Sequence, residues 1–275
     1  MLNPRYFLDV AVAADQLGFE SVWMPEHLVF PQHMAGSPYA TEDGDAAHPP
    51  VPPETPLFDV FSYLSFLAGQ TRQIRLGTNV YLLGLRHPFV AARAVQTLDI
   101  VSGGRAEIGV GAGWLRSEWL AAGFDPATRG RRLDEALRVC KRLWSEESVE
   151  HSGEFYQFAA VKFEPKPIQR PHPPIHIGGI STAALRRVAE HGDGWYAMGM
   201  TLETIAPLLT QLRELMRAAG RDPDALEIIS SADISTREDL RRWEDLGVTR
   251  VVVCPWQRGK DAVTGLQRFA EDVLS

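Results

Sequence analysis

The stretch GGISTAALRRVAEHGDGW, residues 178 to 195, sets Gly178 and Gly179 directly ahead of a helical pattern. A helix start carries unpaired N–H groups and partial positive charge, and residues without a Cβ let an anion approach that backbone closely. Ser181 suits the N-cap, and Gly192 follows the last helical residue, His191. Two readings fit: an anion site, or a tight strand-to-helix turn with no ligand, since glycine serves both. A second grouping, Glu26-His27, closes an apolar run with a carboxylate and a side chain that changes charge near neutral pH. A third, GVGAGW (109–114), invites a dinucleotide reading. That reading is weak, because Trp114 stands where the third glycine belongs and the motif lies mid-chain.

These groups need elements to hold them. Seven short runs read as buried strands: 20–25, 74–83, 105–111, 174–179, 194–198, 226–231 and 250–255. Helical patterns lie between them. Phe7, Val10, Ala11, Ala14 and Leu17 recur at helix spacing, as do Leu133, Leu137, Cys140 and Trp144. Asp59 can cap one helix, Pro88 fits the first turn of another after Arg86-His87, and STRE (235–238) has capping-box spacing. Alternating strands and helices imply a parallel sheet covered by helices, either a β/α barrel or a doubly wound sheet. A barrel collects its chemistry at the C-terminal ends of its strands. Here those ends read Glu26-His27, Asn79-Val80, Gly111 to Trp114 and Gly178 to Ser181, polar or glycine-rich throughout.

Two stretches break the alternation. Residues 28–57 hold seven prolines without sustained periodicity and, beside His27, are expected to form a lid. VEHSGEFYQF (149–158) has a turn at Ser152-Gly153 between β-prone halves, so a small hairpin insertion is expected over 149–165. The whole chain, 1–275, reads as one barrel domain.

Composition narrows the class. A net charge of −7 disfavours nucleic acid and anionic membranes as partners. No apolar run reaches membrane-spanning length, and Cys140 and Cys254 are far apart, which points to a reducing cytoplasm and to two buried thiols. His33, His48, His151 and His172 lack metal-ligand spacing, so no metal is expected.

The order and spacing of LGTNVYLLGLRHPFVAARAVQTLDIVSGGRAEIGVGAGWLRSEW, RGRRLDEALRVCKRLW and PPIHIGGISTAALRRVAEHGDGW add a further observation. Over roughly residues 4 to 200 they resemble the luciferase-like monooxygenase superfamily, and within it the branch of F420-dependent oxidoreductases. The resemblance implies a TIM-type (β/α)8 barrel holding a flavin or deazaflavin at its mouth. It implies a cofactor phosphate at Gly178, Gly179, Ile180 and Ser181, and a non-prolyl cis peptide between Asn79 and Val80 supporting the ring. Glu26 and His27 match the family's acid–histidine pair, with His27 placed for proton transfer and Glu26 standing where aspartate is commoner. Gly111, Ala112, Gly113 and Trp114 form the turn beside the cofactor. Some family members carry a glutamate acid where this chain has Trp114, and Glu118, one helical turn on, is the nearest replacement.

Three functions follow from this resemblance. The first is hydride transfer between coenzyme F420 and a small organic substrate. The second is an FMN-dependent monooxygenase supplied by a partner flavin reductase, and the third is a flavin-binding protein without catalysis. A homodimer is expected. Family members begin with a strand before the helix matching residues 4–17, whereas this chain starts Met1-Leu2-Asn3-Pro4, with Asn3 a plausible cap. The first barrel strand is therefore expected to be missing, leaving seven, with the gap narrowed, filled or covered.

Overall fold

The computed structural model describes residues 5–32 and 53–274. In chain order these form α1 (Tyr6–Gln16), β1 (Ser21–Met24), α2 (Val60–Ala68), β2 (Arg75–Tyr81), α3 (Pro88–Ser102), β3 (Ala106–Val110), α4 (Arg116–Ala121) and α5 (Arg129–Ser145). There follow β4 (Val149–Ser152), β5 (Gln157–Val161), β6 (Ile175–Gly178), α6 (Thr182–His191), β7 (Gly194–Ala197) and α7 (Leu202–Ala218). The chain continues through β8 (Glu227–Ser231), α8 (Arg237–Asp245), β9 (Arg250–Val252) and α9 (Ala262–Phe269).

Seven strands make one parallel sheet in the order β1-β2-β3-β6-β7-β8-β9, so each expected strand is present and neighbours follow chain order. Sequential parallel neighbours joined by helices give the β/α barrel, seven-stranded among the described residues. The two end strands do not pair with each other. Side chains bring them together instead. The Trp23 ring of β1 lies edge-on to His176 of β6 (5.4 Å) and Tyr196 of β7 (4.9 Å), and Arg250 of β9 stands 5.8 Å above it. The interior is thus packed by rings and a guanidinium. Tyr6 already begins α1; residues 1–4, with the expected Asn3 cap, lie outside the described residues.

The helices cover the sheet with the faces their spacing predicts. Leu133, Leu137, Cys140 and Trp144 of α5 are all buried. Burial of a leucine such as Leu133 contributes about 2 kcal/mol. Asp59 caps α2 by accepting from the Ser62 N–H (2.8 Å), and Pro88 opens α3. The expected capping box moves by one residue: Thr236 and Asp239 form it, because Thr236 is the residue that leaves extended geometry. Cys140 is buried, but Cys254 is exposed just past the short β9, contrary to expectation.

Strands β4 and β5 pair antiparallel as the hairpin. Glu135 of α5 fastens it to the barrel, accepting from the Tyr156 N–H (2.9 Å) and Phe155 N–H (3.0 Å) and meeting His151 Nε2 at 3.0 Å. The expected lid falls largely on residues 33–52, outside the described residues.

Candidate functional site

The four strand-end groups face the same end of the parallel sheet. Behind β1, His27 Nδ1 lies 2.8 Å from Oε2 of Glu118, 91 residues away on α4. The Glu118 side chain is fully buried, and Oε1 also accepts the Leu28 N–H (2.6 Å) and Val29 N–H (3.3 Å). The imidazole is flanked by Phe30 (4.6 Å between ring centres) and, edge-on, by Trp114 (5.5 Å). Helix α4 is held in place by its next residue, Trp119, buried against Leu82 and Leu85.

Glu26 is buried and both its oxygens are engaged. Oε2 accepts the Leu82 N–H (2.9 Å), and Oε1 pairs with Arg86. Burial raises the Glu26 carboxyl above its ordinary range, and Arg86 and the Leu82 N–H only partly offset this. Arg86, just ahead of Pro88, is the half-buried partner in this ion pair, with its guanidinium 4.6 Å over the Tyr81 ring. A carboxylate withdrawn from water needs such a partner.

The Asn79–Val80 peptide is cis, as the resemblance implied. Pairing between β2 and β3 shifts register between Thr78 and Tyr81, which throws Val80 inward across its neighbours. A Cβ on Gly111 would stand 2.7 Å from Val80 Cγ2, and one on Gly178 3.0 Å from Val80 Cγ1. Gly111, just past β3, and Gly178 of β6 thus form the bed on which Val80 lies. The sequence shows glycines there; what they accommodate is a side chain of another strand.

At the end of β6, Ser181 caps α6 by accepting the Ala184 N–H (3.2 Å). Gly179 takes φ +116°, a conformation L side chains rarely adopt, and its carbonyl accepts the Trp195 indole N–H (2.8 Å). Gly179, Ile180 and Ser181 are exposed, so the helix start faces outward on a buttressed turn. Gly192 ends α6 in extended geometry rather than the left-handed form; a Cβ there would meet the Gly194 carbonyl at 2.9 Å.

Sequence reasoning missed a charged cluster at the opposite end of the strands. Glu107 pairs with Arg75 and with Arg250 (2.5 Å), and Arg250 also meets Glu20 (2.6 Å). His176 Nε2 lies 3.1 Å from Glu107 without hydrogen-bond alignment, and 3.7 Å from Glu227. Glu107, His176 and Glu227 bring three ligand-type atoms within 4.8 Å of one another. Arg250, 3.6 Å from Glu227 as well, already supplies the positive charge a metal would bring. The available signal was a charge inside each otherwise apolar strand: IRLG, RAEIGV, LEII and RVVV.

Beyond β8 and β9, on the same side as His27, opens a cleft of about 640 Å³ lined by Asp233, Cys254, Trp256 and Arg268, among others. A larger groove of about 710 Å³ lies on the outer layer, between α2, α3 and β5, away from the strand ends.

A family model, luciferase-like monooxygenase, matches residues 2–248. The protein Rv0953c of Mycobacterium tuberculosis, itself uncharacterized, is 33% identical over 260 residues, covering 94% of this chain and 90% of its own. The F420-dependent glucose-6-phosphate dehydrogenase of Kineococcus radiotolerans is 31% identical over 259 residues, covering 90% of this chain and 70% of its own. The FMNH(2)-dependent dimethylsulfone monooxygenase of Pseudomonas putida is 34% identical over 136 residues, covering 48% and 38%. Among solved structures, monooxygenase RslO1 from Streptomyces bottropensis superposes with a TM-score of 0.79 at 24% identity, covering 98% of this chain and 92% of that one. That last likeness is one of fold.

Proposed function

The chain belongs to the luciferase-like monooxygenase family, and from that premise we propose that it is an F420-dependent oxidoreductase acting on a small organic substrate. The observation carrying the proposal is the convergence of the Val80 bulge, the capped Gly178–Ser181 turn and the His27–Glu118 pair on one end of the barrel. The residues fit a tricyclic cofactor with a phosphate: Val80 offers an apolar support, and the exposed helix start offers N–H donors to an anion. We assign Asn79, Gly111, Ala112, Gly113 and Trp114 to the same cofactor site, while Glu26 holds Leu82 and Arg86. Bound there, coenzyme F420 would supply hydride transfer.

The chain's own contribution is proton handling and shielding. His27, with its side chain 13% exposed, can give or take the proton that balances the hydride. The rings of Phe30 and Trp114 keep water from its flanks. Trp114 cannot itself act as an acid, and Glu118 stands directly behind His27. This pair supports catalysis over the flavin-binding alternative without chemistry.

F420 is favoured over FMN because the F420-dependent relative aligns across 90% of this chain, against 48% for the FMNH(2)-dependent one. The second reading, an FMN-dependent monooxygenase with a partner reductase, rests on that shorter alignment. We place the protein in the cytoplasm as a homodimer. Titration of the purified protein with each cofactor, followed by fluorescence, tests the choice. Tighter F420 binding is expected; micromolar FMN affinity with no F420 binding would overturn it.

A further inference from the structure

Glu118 meets His27 in an arrangement that assigns the two ring nitrogens different tasks. The inference rests on the reading of His27 as the proton-transfer group, and its test does not need the cofactor. Nδ1 faces Glu118 Oε2 at 2.8 Å, so Nε2 is the ring atom turned away from Glu118. Oε1 of the same carboxylate is spoken for by two main-chain N–H groups, those of Leu28 and Val29. An ionised carboxylate only accepts hydrogen bonds.

We propose that Glu118 is a positioning residue: it holds the His27 proton on Nδ1, so that Nε2 exchanges the proton of the reaction. The same carboxylate anchors the first two residues after His27, so one buried group fixes both the tautomer and the path by which the chain leaves β1. Glu118 does so from a rigid seat. Its side chain is 0% exposed, and the adjacent Trp119 is equally buried. Glu26, the residue before His27, is itself paired with Arg86.

Glu118→Gln separates this role from simple packing. The amide keeps the shape but has one acceptor oxygen and one donor nitrogen. The two main-chain N–H groups of Leu28 and Val29 demand the oxygen. The amide nitrogen must then point at Nδ1 and donate to it, which moves the imidazole proton to Nε2. A carboxylate that merely filled space would leave the tautomer unchanged on this substitution.

The experiment is nitrogen NMR of the His27 ring, identified by its loss in His27→Ala, in the full chain without cofactor. It is recorded at about pH 8.5, roughly two units above the ordinary imidazole pKa. The native protein is expected to show Nδ1 protonated, with the ring neutral or charged, and Glu118→Gln to show the neutral ring protonated at Nε2. A native ring with Nδ1 unprotonated overturns the proposal, as does the same neutral tautomer in both proteins. If the variant does not fold, the native spectrum alone decides. With F420 and an identified substrate, Glu118→Gln is expected to lower kcat by about a hundredfold or more while KM stays within a few-fold. A protein that binds no F420 yet shows the tautomer exchange would reject the cofactor reading and leave the Glu118 assignment standing.

Discussion

Arg250, the first residue of β9, forms a two-point ion pair with Glu20, the residue preceding β1, at 2.6 and 2.9 Å. The pair spans the side of the barrel where the two end strands do not hydrogen-bond to each other. The same guanidinium reaches Glu107 on β3, whose side chain is 1% exposed, so one residue of β9 ties three parts of the barrel together.

Arg250→Met keeps the stem and removes the charge, which leaves Glu107 with Arg75 and the nearby His176 ring. Urea unfolding should show a loss of about 3 kcal/mol, the size expected when one partner of a buried pair is removed. Adding Glu107→Gln should recover part of that loss, because it removes the stranded charge. Equal stability of Arg250→Met and the native protein would show the cluster to be incidental.

Acid should expose the same cluster. Burial works against ionisation of Glu107, but His176 and Arg250 outweigh it and bring its carboxyl from 4.5 down to about 2. The native state therefore holds this proton less readily than the unfolded chain. The corresponding stability is fully present above about pH 4.5 and is lost as pH falls toward 2. The gap amounts to on the order of 3 kcal/mol. Denaturation followed across that window should show a shallower pH dependence in Glu107→Gln than in the native protein.

Ser181→Asp isolates the anion turn. Aspartate caps helices as well as serine does, so thermal stability should change by no more than about a degree. Its charge would oppose a phosphate at the same helix start and should weaken F420 binding more than about tenfold, or about 1.4 kcal/mol. Gly179 is a poorer test position, since its φ of +116° makes any side chain strained with or without ligand. Unchanged affinity in Ser181→Asp would move the phosphate elsewhere.

His27→Ala should lower turnover by about 10²–10⁴-fold and leave F420 affinity within a few-fold, as befits a group acting mainly in proton transfer. Steady-state kinetics beside a binding titration distinguishes this from a loss of binding. Equal turnover in the variant would return His27 to a structural role.

Much of this architecture is legible in the residues. Seven apolar runs separated by helical periodicity define a parallel barrel, because burial on both faces leaves a strand no polar alternation. The Asp59, Ser181 and Pro88 helix starts can be read locally, since a cap satisfies donors within three residues of itself. The strand-end groups Glu26-His27, Asn79-Val80, Gly111–Trp114 and Gly178–Ser181 are likewise visible, because the barrel orders its loops by strand.

Partner choice is another matter. That Glu118 would turn to His27, 91 residues away, depends on how α4 is seated by Trp119, and no local pattern encodes that. Nothing beside the helix start at Pro88 tells that Arg86 pairs with Glu26, sixty residues earlier. Gly111 and Gly178 could have served a ligand or a turn; in the fold, Val80 packs against both. Charges inside the strands gain meaning only when sheet curvature brings Arg250 beside Glu20 across 230 residues. Local hydrogen bonds and periodic burial are properties of neighbours in sequence, whereas ion pairs and shape-filling contacts belong to neighbours in space.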